Sequence, residues 1–99
     1  MATKKLIAVK EFCLHHRISS DFIFELHRNE MVELVTIKRT SYIAEKNLHD
    51  IERMTRLYNE LQVNIEGIQT IFHLLTRIEK KDAELQALRD QLAFYSTGE

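Results

Sequence analysis

Proline is absent from the chain and glycine occurs only twice. That leaves no material for a flexible or proline-rich linker, and a mostly helical domain is expected. The single cysteine, Cys13, excludes an intramolecular disulfide; its apolar local pattern suits a reducing compartment. No apolar run approaches the roughly 20 residues needed to span a bilayer. The amino-terminal Met1-Ala-Thr-Lys-Lys leads into a mixed segment without a secretory apolar region. A cytoplasmic location with no membrane association is the expectation. Charge of one sign is lacking too. Fourteen Lys and Arg stand against fifteen Asp and Glu, so the whole chain carries no electrostatic signature for nucleic acid or an anionic membrane. There is no glycine-rich phosphate loop, and His27, His49 and His73 stand alone with no nucleophile nearby. Ninety-nine residues make one domain, too small to enclose a deep substrate pocket comfortably. Neither an enzyme nor a cofactor is expected.

What the chain does have is a long helical pattern from Asn64 to Tyr95. Ile71, Leu74, Ile78, Lys81, Leu85, Leu88, Leu92 and Tyr95 recur at alternating spacings of three and four, the a/d seam of a coiled coil. A helix of that length reaches roughly 45 Å, further than a fold of the remaining residues could cover, so its far end needs a partner. Up to about Leu75 the stripe is broad, through Ile65, Ile68, Ile71, Phe72 and Leu75, and these turns are expected to lie on the chain's own globular part. Beyond Ile78 it narrows to a seam. The alternative is a terminal helix that folds back or frays. Lys81 either sets register or marks a loose point in the seam. The expected division is residues 1–63 for the globular part and 64–99 for the long helix, within one domain overall. Charge is mildly split as well: residues 1–46 hold eight basic and six acidic side chains, residues 47–99 six and nine.

Towards the amino terminus, Leu6 to His16 places Val9, Phe12, Cys13 and His16 at i, i+3, i+4 and i+7, which predicts a short amphipathic helix. Leu14 falls off that stripe and must touch something else. Arg17-Ile18 breaks the pattern. Ser19 then caps a second helix with Asp21 in its first turn, where a carboxylate favours the helix dipole. Helix, short turn with one buried aliphatic, capped helix is the layout of a helix-turn-helix. On the second helix, which runs to about Asn29, Phe22, Ile23 and Leu26 share the buried face, leaving Asp21, Phe24, Glu25 and Arg28 on the outer side. Phe24 is either an exposed anchor or tucks under Leu14 or the hairpin. From Met31 to Glu45, Val32, Leu34, Val35, Thr36, Ile37, Thr40, Tyr42 and Ile43 predict a small β-hairpin turning near Lys38-Arg39. Asn47 and Asp50 form a capping pair for a third helix with the stripe Leu48, Ile51, Met54, Leu57, Tyr58 and Leu61, ending near Gln62. Asn64 caps the long helix.

This order of elements resembles the MerR-like winged helix-turn-helix: mainly α, with a small β-hairpin wing and a long C-terminal coiled-coil helix. A local run sharpens the likeness. Arg56-Leu57-x-x-Glu60-Leu61-x-Val63-Asn64-x-x-Gly67-Ile68, preceded by Glu11-Phe12-Cys13-Leu14-His15 and Ile18-Ser19, is similar to the CbpM family of chaperone modulators, across about Val9 to Leu92. The resemblance implies a protein that binds the J domain of a DnaJ-type co-chaperone and inhibits its action on Hsp70. The alternative is a MerR-like DNA-binding transcriptional regulator.

The second helix bears on that choice. A DNA-reading helix exposes Arg, Lys, Asn or Gln, and carboxylates repel phosphate. MerR-like readers typically carry Arg where this sequence places Phe24. Nucleic acid is therefore disfavoured, and an aromatic rimmed by charge suits a protein partner. J domains present a basic helix to Hsp70, so a competitor needs carboxylates beside an apolar anchor. Two candidate patches follow: Asp21, Phe24, Glu25 and Arg28 on the second helix, and Asp50, Glu52, Glu60 and Glu66 in the acidic half, with Glu60 inside the matched run. Homodimerisation is expected through Ile78, Leu85, Leu88, Leu92 and Tyr95. Lys38 and Arg39 either touch phosphate or form a solvated turn. Cys13, His15 and His16 lack a second cluster at zinc-ligand spacing, so no metal is expected.

Overall fold

The computed structural model describes residues 5–97, so Met1 to Lys4 of the amino-terminal segment, and residues 98–99, lie outside the described part. Two compact units are distinguished, Met1–Ile68 and Gln69–Glu99. Within the first, a three-residue strand β1 (Leu6–Ala8) runs straight into helix α1 (Val9–His16). Helix α2 (Ser20–Arg28), strands β2 (Leu34–Ile37) and β3 (Thr40–Ala44) and helix α3 (Glu45–Glu60) follow. The chain is mainly α, with four helices and one small antiparallel sheet, a winged helix-turn-helix with a long carboxy-terminal helix.

Strand β1 corrects the expectation that α1 starts at Leu6. It lies at one edge of the sheet in the order β1-β3-β2, pairing Ile7 with Ile43, while β2 pairs Leu34 with Ile43 and Val35 with Tyr42. Three residues are too few for a period of two to show, and the apolar stripe of α1 runs on directly. The hairpin turns at Lys38-Arg39 as predicted. Both residues have positive φ (49° and 68°), the backbone of a two-residue type I′ turn, built here without glycine.

Backbone geometry makes the helix-turn-helix. Arg17 sits in the left-handed region at the end of α1, and the amides of Arg17 and Ile18 return to the Cys13 carbonyl. Ile18 is buried in the turn. Ser19 Oγ then accepts from the Phe22 amide at 3.3 Å, the expected cap of α2. Phe22, Ile23 and Leu26 form the buried face of α2 and join Val9, Phe12, Val32, Ile43, Ile51, Met54 and Ile68 in one core.

Helix α3 starts at Glu45, earlier than predicted, with Ala44 at the cap position and no side-chain cap. Strand β3 feeds directly into it. Asn47 instead donates to the Glu33 carbonyl at 3.4 Å, and Lys46 pairs with Glu33 at 2.8 Å. The predicted α3 stripe holds at Ile51 and Met54, but Tyr58 and Leu61 are exposed, and Thr55 is buried in their place. Tyr58 keeps a ring contact with Phe22 (centroids 4.4 Å apart). After α3, Gln62 takes positive φ and the Val63 amide bonds the Leu57 carbonyl. Asn64 Oδ1 then accepts from the Gly67 amide at 2.8 Å, capping helix α4 (Ile65–Thr97) as predicted. A Cβ at Gly67 would sit 2.6 Å from Val63 Cγ1, so the close approach of the cap excludes a larger residue there without adjustment.

Candidate protein-interaction surfaces

The outer face of α2 carries the first predicted patch, and the structure alters its character. Asp21 is exposed in the first turn. Glu25 bonds Arg28 and receives a longer bond from Asn29, so most of the charge on this face is neutralised within the helix. The Arg28 guanidinium, by hydrogen bond and by charge, holds the Glu25 carboxyl below its usual range against a smaller opposing effect of desolvation. Phe24 is half-buried rather than a fully exposed anchor. It lines a groove of about 490 Å³ with Cys13, Leu14 and Ile18 on one side and Arg39, Thr40 and Ser41 of the hairpin on the other. Its setting lies between the two alternatives, beside Leu14 and the hairpin but not fully covered. Burial pushes the Cys13 thiol above its ordinary value, which keeps it protonated at neutral pH.

The second predicted patch is not one surface. Asp50 faces Arg53 at 3.9 Å, while Glu52 lies 3.7 Å from His16. Ten residues on from Asp50, roughly 15 Å along the axis, Glu60 ends α3, exposed and in no ion pair among the described residues. A carboxylate there meets the negative end of the helix dipole, so it is not placed for stability. Glu66 lies in the first turn of α4, where the dipole favours it.

Glu52 has a setting that its neighbours in sequence lack. It borders a groove of about 660 Å³ between β1, α1 and α3, with Ile7, Phe12 and Leu48 as apolar lining. Leu14 borders this groove and is 74% exposed. Glu11 and His15 share the α1 face with Leu14, and His16 stacks on Phe12 with centroids 4.2 Å apart. Sequence reasoning named Glu52 here but missed Glu11 and Leu14 as partners. The available signal was the spacing Glu11, Leu14, His15, a second helical face opposite the buried one.

Residues 7–90 match the model of the MerR HTH family regulatory protein. The chain belongs to that family. No curated protein and no solved structure matches it significantly. The match covers the helix-turn-helix, the hairpin and most of α4, so the MerR architecture accounts for nearly every element described above.

Two further features of this MerR-family chain concern partners. Along α4 the predicted seam residues are exposed, from 49% at Leu85 through Ile78, Leu88 and Leu92 to 72% at Tyr95. Phe94, which the heptad pattern passes over, is 69% exposed and meets the Tyr95 ring edge-on. Lys81, within the seam, reaches Glu84 at 3.5 Å. These exposed positions lie along α4 at the spacing of the predicted seam. Among the described residues there is no group of three or more His, Cys, Asp or Glu placed to hold a metal ion, and no helix long and apolar enough to cross a membrane.

Proposed function

We propose that this MerR-family chain acts by binding a protein: that it occupies the J domain of a DnaJ-type co-chaperone and thereby restrains its action on Hsp70. The observation that carries the protein-binding part is the outer face of α2, where the position of base-reading cations holds Asp21, a half-buried Phe24 and a Glu25–Arg28 pair. The identity of the partner comes from the CbpM-like run ending in Glu60-Leu61-x-Val63-Asn64-x-x-Gly67-Ile68. In this reading the chain is a cytoplasmic, non-enzymatic homodimer paired through the α4 seam, and it needs no cofactor. The basic helix of a J domain is complementary to carboxylates beside an apolar anchor, and charge acts mainly on association rate and specificity. Calorimetry of the full chain against the J domain encoded by the same genome tests it, with Glu60→Lys and Phe24→Ala alongside. Binding that weakens as salt rises, and loss of J-stimulated Hsp70 ATPase, are the expected results. No heat and no inhibition would remove the reading; binding untouched by both substitutions would keep the partner and discard those sites.

A second reading, transcriptional regulation through DNA, rests on the exposed Lys38 and Arg39 at the tip of the wing. It predicts duplex binding that falls with salt and is weakened by Lys38→Ala and Arg39→Ala. A flat titration against mixed duplexes at low salt would eliminate it.

A further inference from the structure

We propose that the groove between α1, α2 and the hairpin binds a small aliphatic carboxylate, with its apolar tail against the helices and its carboxylate at the two cations of the lining. The groove holds about 490 Å³, within the roughly 300–1,000 Å³ of sites that take one small molecule. Its helical side is apolar. Val9, Cys13, Ile18 and Phe24 line it, and Leu14 stands at its border with the neighbouring groove, offering surface that a hydrocarbon tail removes from water. The hairpin side is polar, with Thr40 and Ser41 next to Arg39 in sequence. Charge selects the head group. Lys10 and Arg39 are the charged side chains of the lining, both exposed and in no ion pair among the described residues, and no carboxylate or histidine lines the groove. Of the carboxylates close to it in sequence, Glu11 borders the groove of Glu52, and Asp21 and Glu25 stand outside the lining, Glu25 bonded to Arg28. An ammonium head would be repelled by both cations, and a neutral one would forgo their charge-assisted bonds. A nucleic-acid backbone would meet the cations but is polar along its length, so it would gain nothing by covering Leu14, Ile18 and Phe24.

The proposal does not rest on a J-domain partner, and its test uses the full chain alone. Amide-resolved NMR titrations compare octanoate, octanol and octylamine, three probes with one tail and different heads, each below the concentration at which it self-associates. Octanoate is expected to give saturable shifts at Cys13, Ile18, Phe24, Thr40 and Ser41, with octanol and octylamine weaker by about tenfold or more. Joint Lys10→Gln and Arg39→Gln should bring octanoate down to the level of octanol and leave octanol itself unchanged. Both residues are exposed, so these substitutions leave the core intact. Phe24→Ala should weaken octanoate and octanol alike, which separates the tail contact from the charge. Equal binding of the three heads, a preference for octylamine, shifts that do not saturate or that fall outside the groove, or a preference for octanoate that survives the double substitution would each overturn the proposal. So would a short duplex that shifts the same residues and displaces octanoate at physiological salt, which would assign the groove to nucleic acid.

Discussion

Leu26 and Leu88 are the same side chain on amphipathic helices of one molecule, yet Leu26 is fully buried and Leu88 is 60% exposed. The difference lies in the width of the stripe around each. On α2, Phe22, Ile23 and Leu26 lie on adjacent positions of the helix surface and make a broad face, buried as Ile43, Ile51, Met54 and Ile68 are. Beyond Ile78, α4 offers Leu85, Leu88 and Leu92, with Lys81 at the seam position between Ile78 and Leu85 and mostly polar or small side chains around them. A broad face condenses a core within one chain, whereas a narrow seam suits one straight partner.

Cutting each leucine back breaks the comparison most sharply. Leu26→Ala should destabilise the folded chain by about 2–5 kcal/mol, read as a lower midpoint in chemical denaturation. Leu88→Ala should instead weaken self-association, read by light scattering across a dilution series. Truncation after Arg77 should leave a monomer that keeps its helical signal, and an unchanged oligomeric state would refute the seam. A smaller effect is expected at Thr55, which is 3% exposed and whose Oγ1 has no hydrogen-bond partner among the described residues. Thr55→Val, removing the orphaned hydroxyl at nearly constant shape, should stabilise by about 1 kcal/mol. The smallest concerns the outer face of α2. Because Arg28 depresses the Glu25 pKa in the folded state, the pair stabilises at neutral pH and that contribution fades as pH falls through the folded value. Both groups are solvated, so the gain is slight. Arg28→Ala should raise the Glu25 midpoint towards the ordinary carboxylate range, followed by NMR, with almost no change in thermal stability.

The elements that could be read from sequence are those whose signal is local. Ser19 and Asn64 cap helices because a side-chain oxygen three residues from an amide needs no tertiary partner, and the face of α2 follows from angles alone. Strand β1 escaped because its evidence is β3, more than thirty residues away. The start of α3 escaped for the same reason: β3 delivers the chain to Glu45, and Asn47 serves Glu33 instead of a cap. At the candidate surfaces, charges were legible as residues but not as neighbours. Asp50, Glu52, Glu60 and Glu66 all belong to the acidic half of the sequence, and folding gives them different companions: Arg53 for Asp50, His16 for Glu52, and a helix end for Glu60. Only tertiary structure brought Glu11 to Glu52 across an apolar floor.

The left-handed backbone positions carry a consequence for the lifetime of the fold. Arg17, Glu30, Lys38, Arg39 and Gln62 hold positive φ, and neither α1, α2, α3 nor the hairpin ends on a glycine. Each such residue costs on the order of 1 kcal/mol that glycine would avoid. Glycine would relieve that strain but would lose roughly 0.5–1 kcal/mol more backbone entropy on folding, so the two effects largely offset each other at each position. Anything that binds the folded form adds to its stability by mass action and should slow its clearance by proteases.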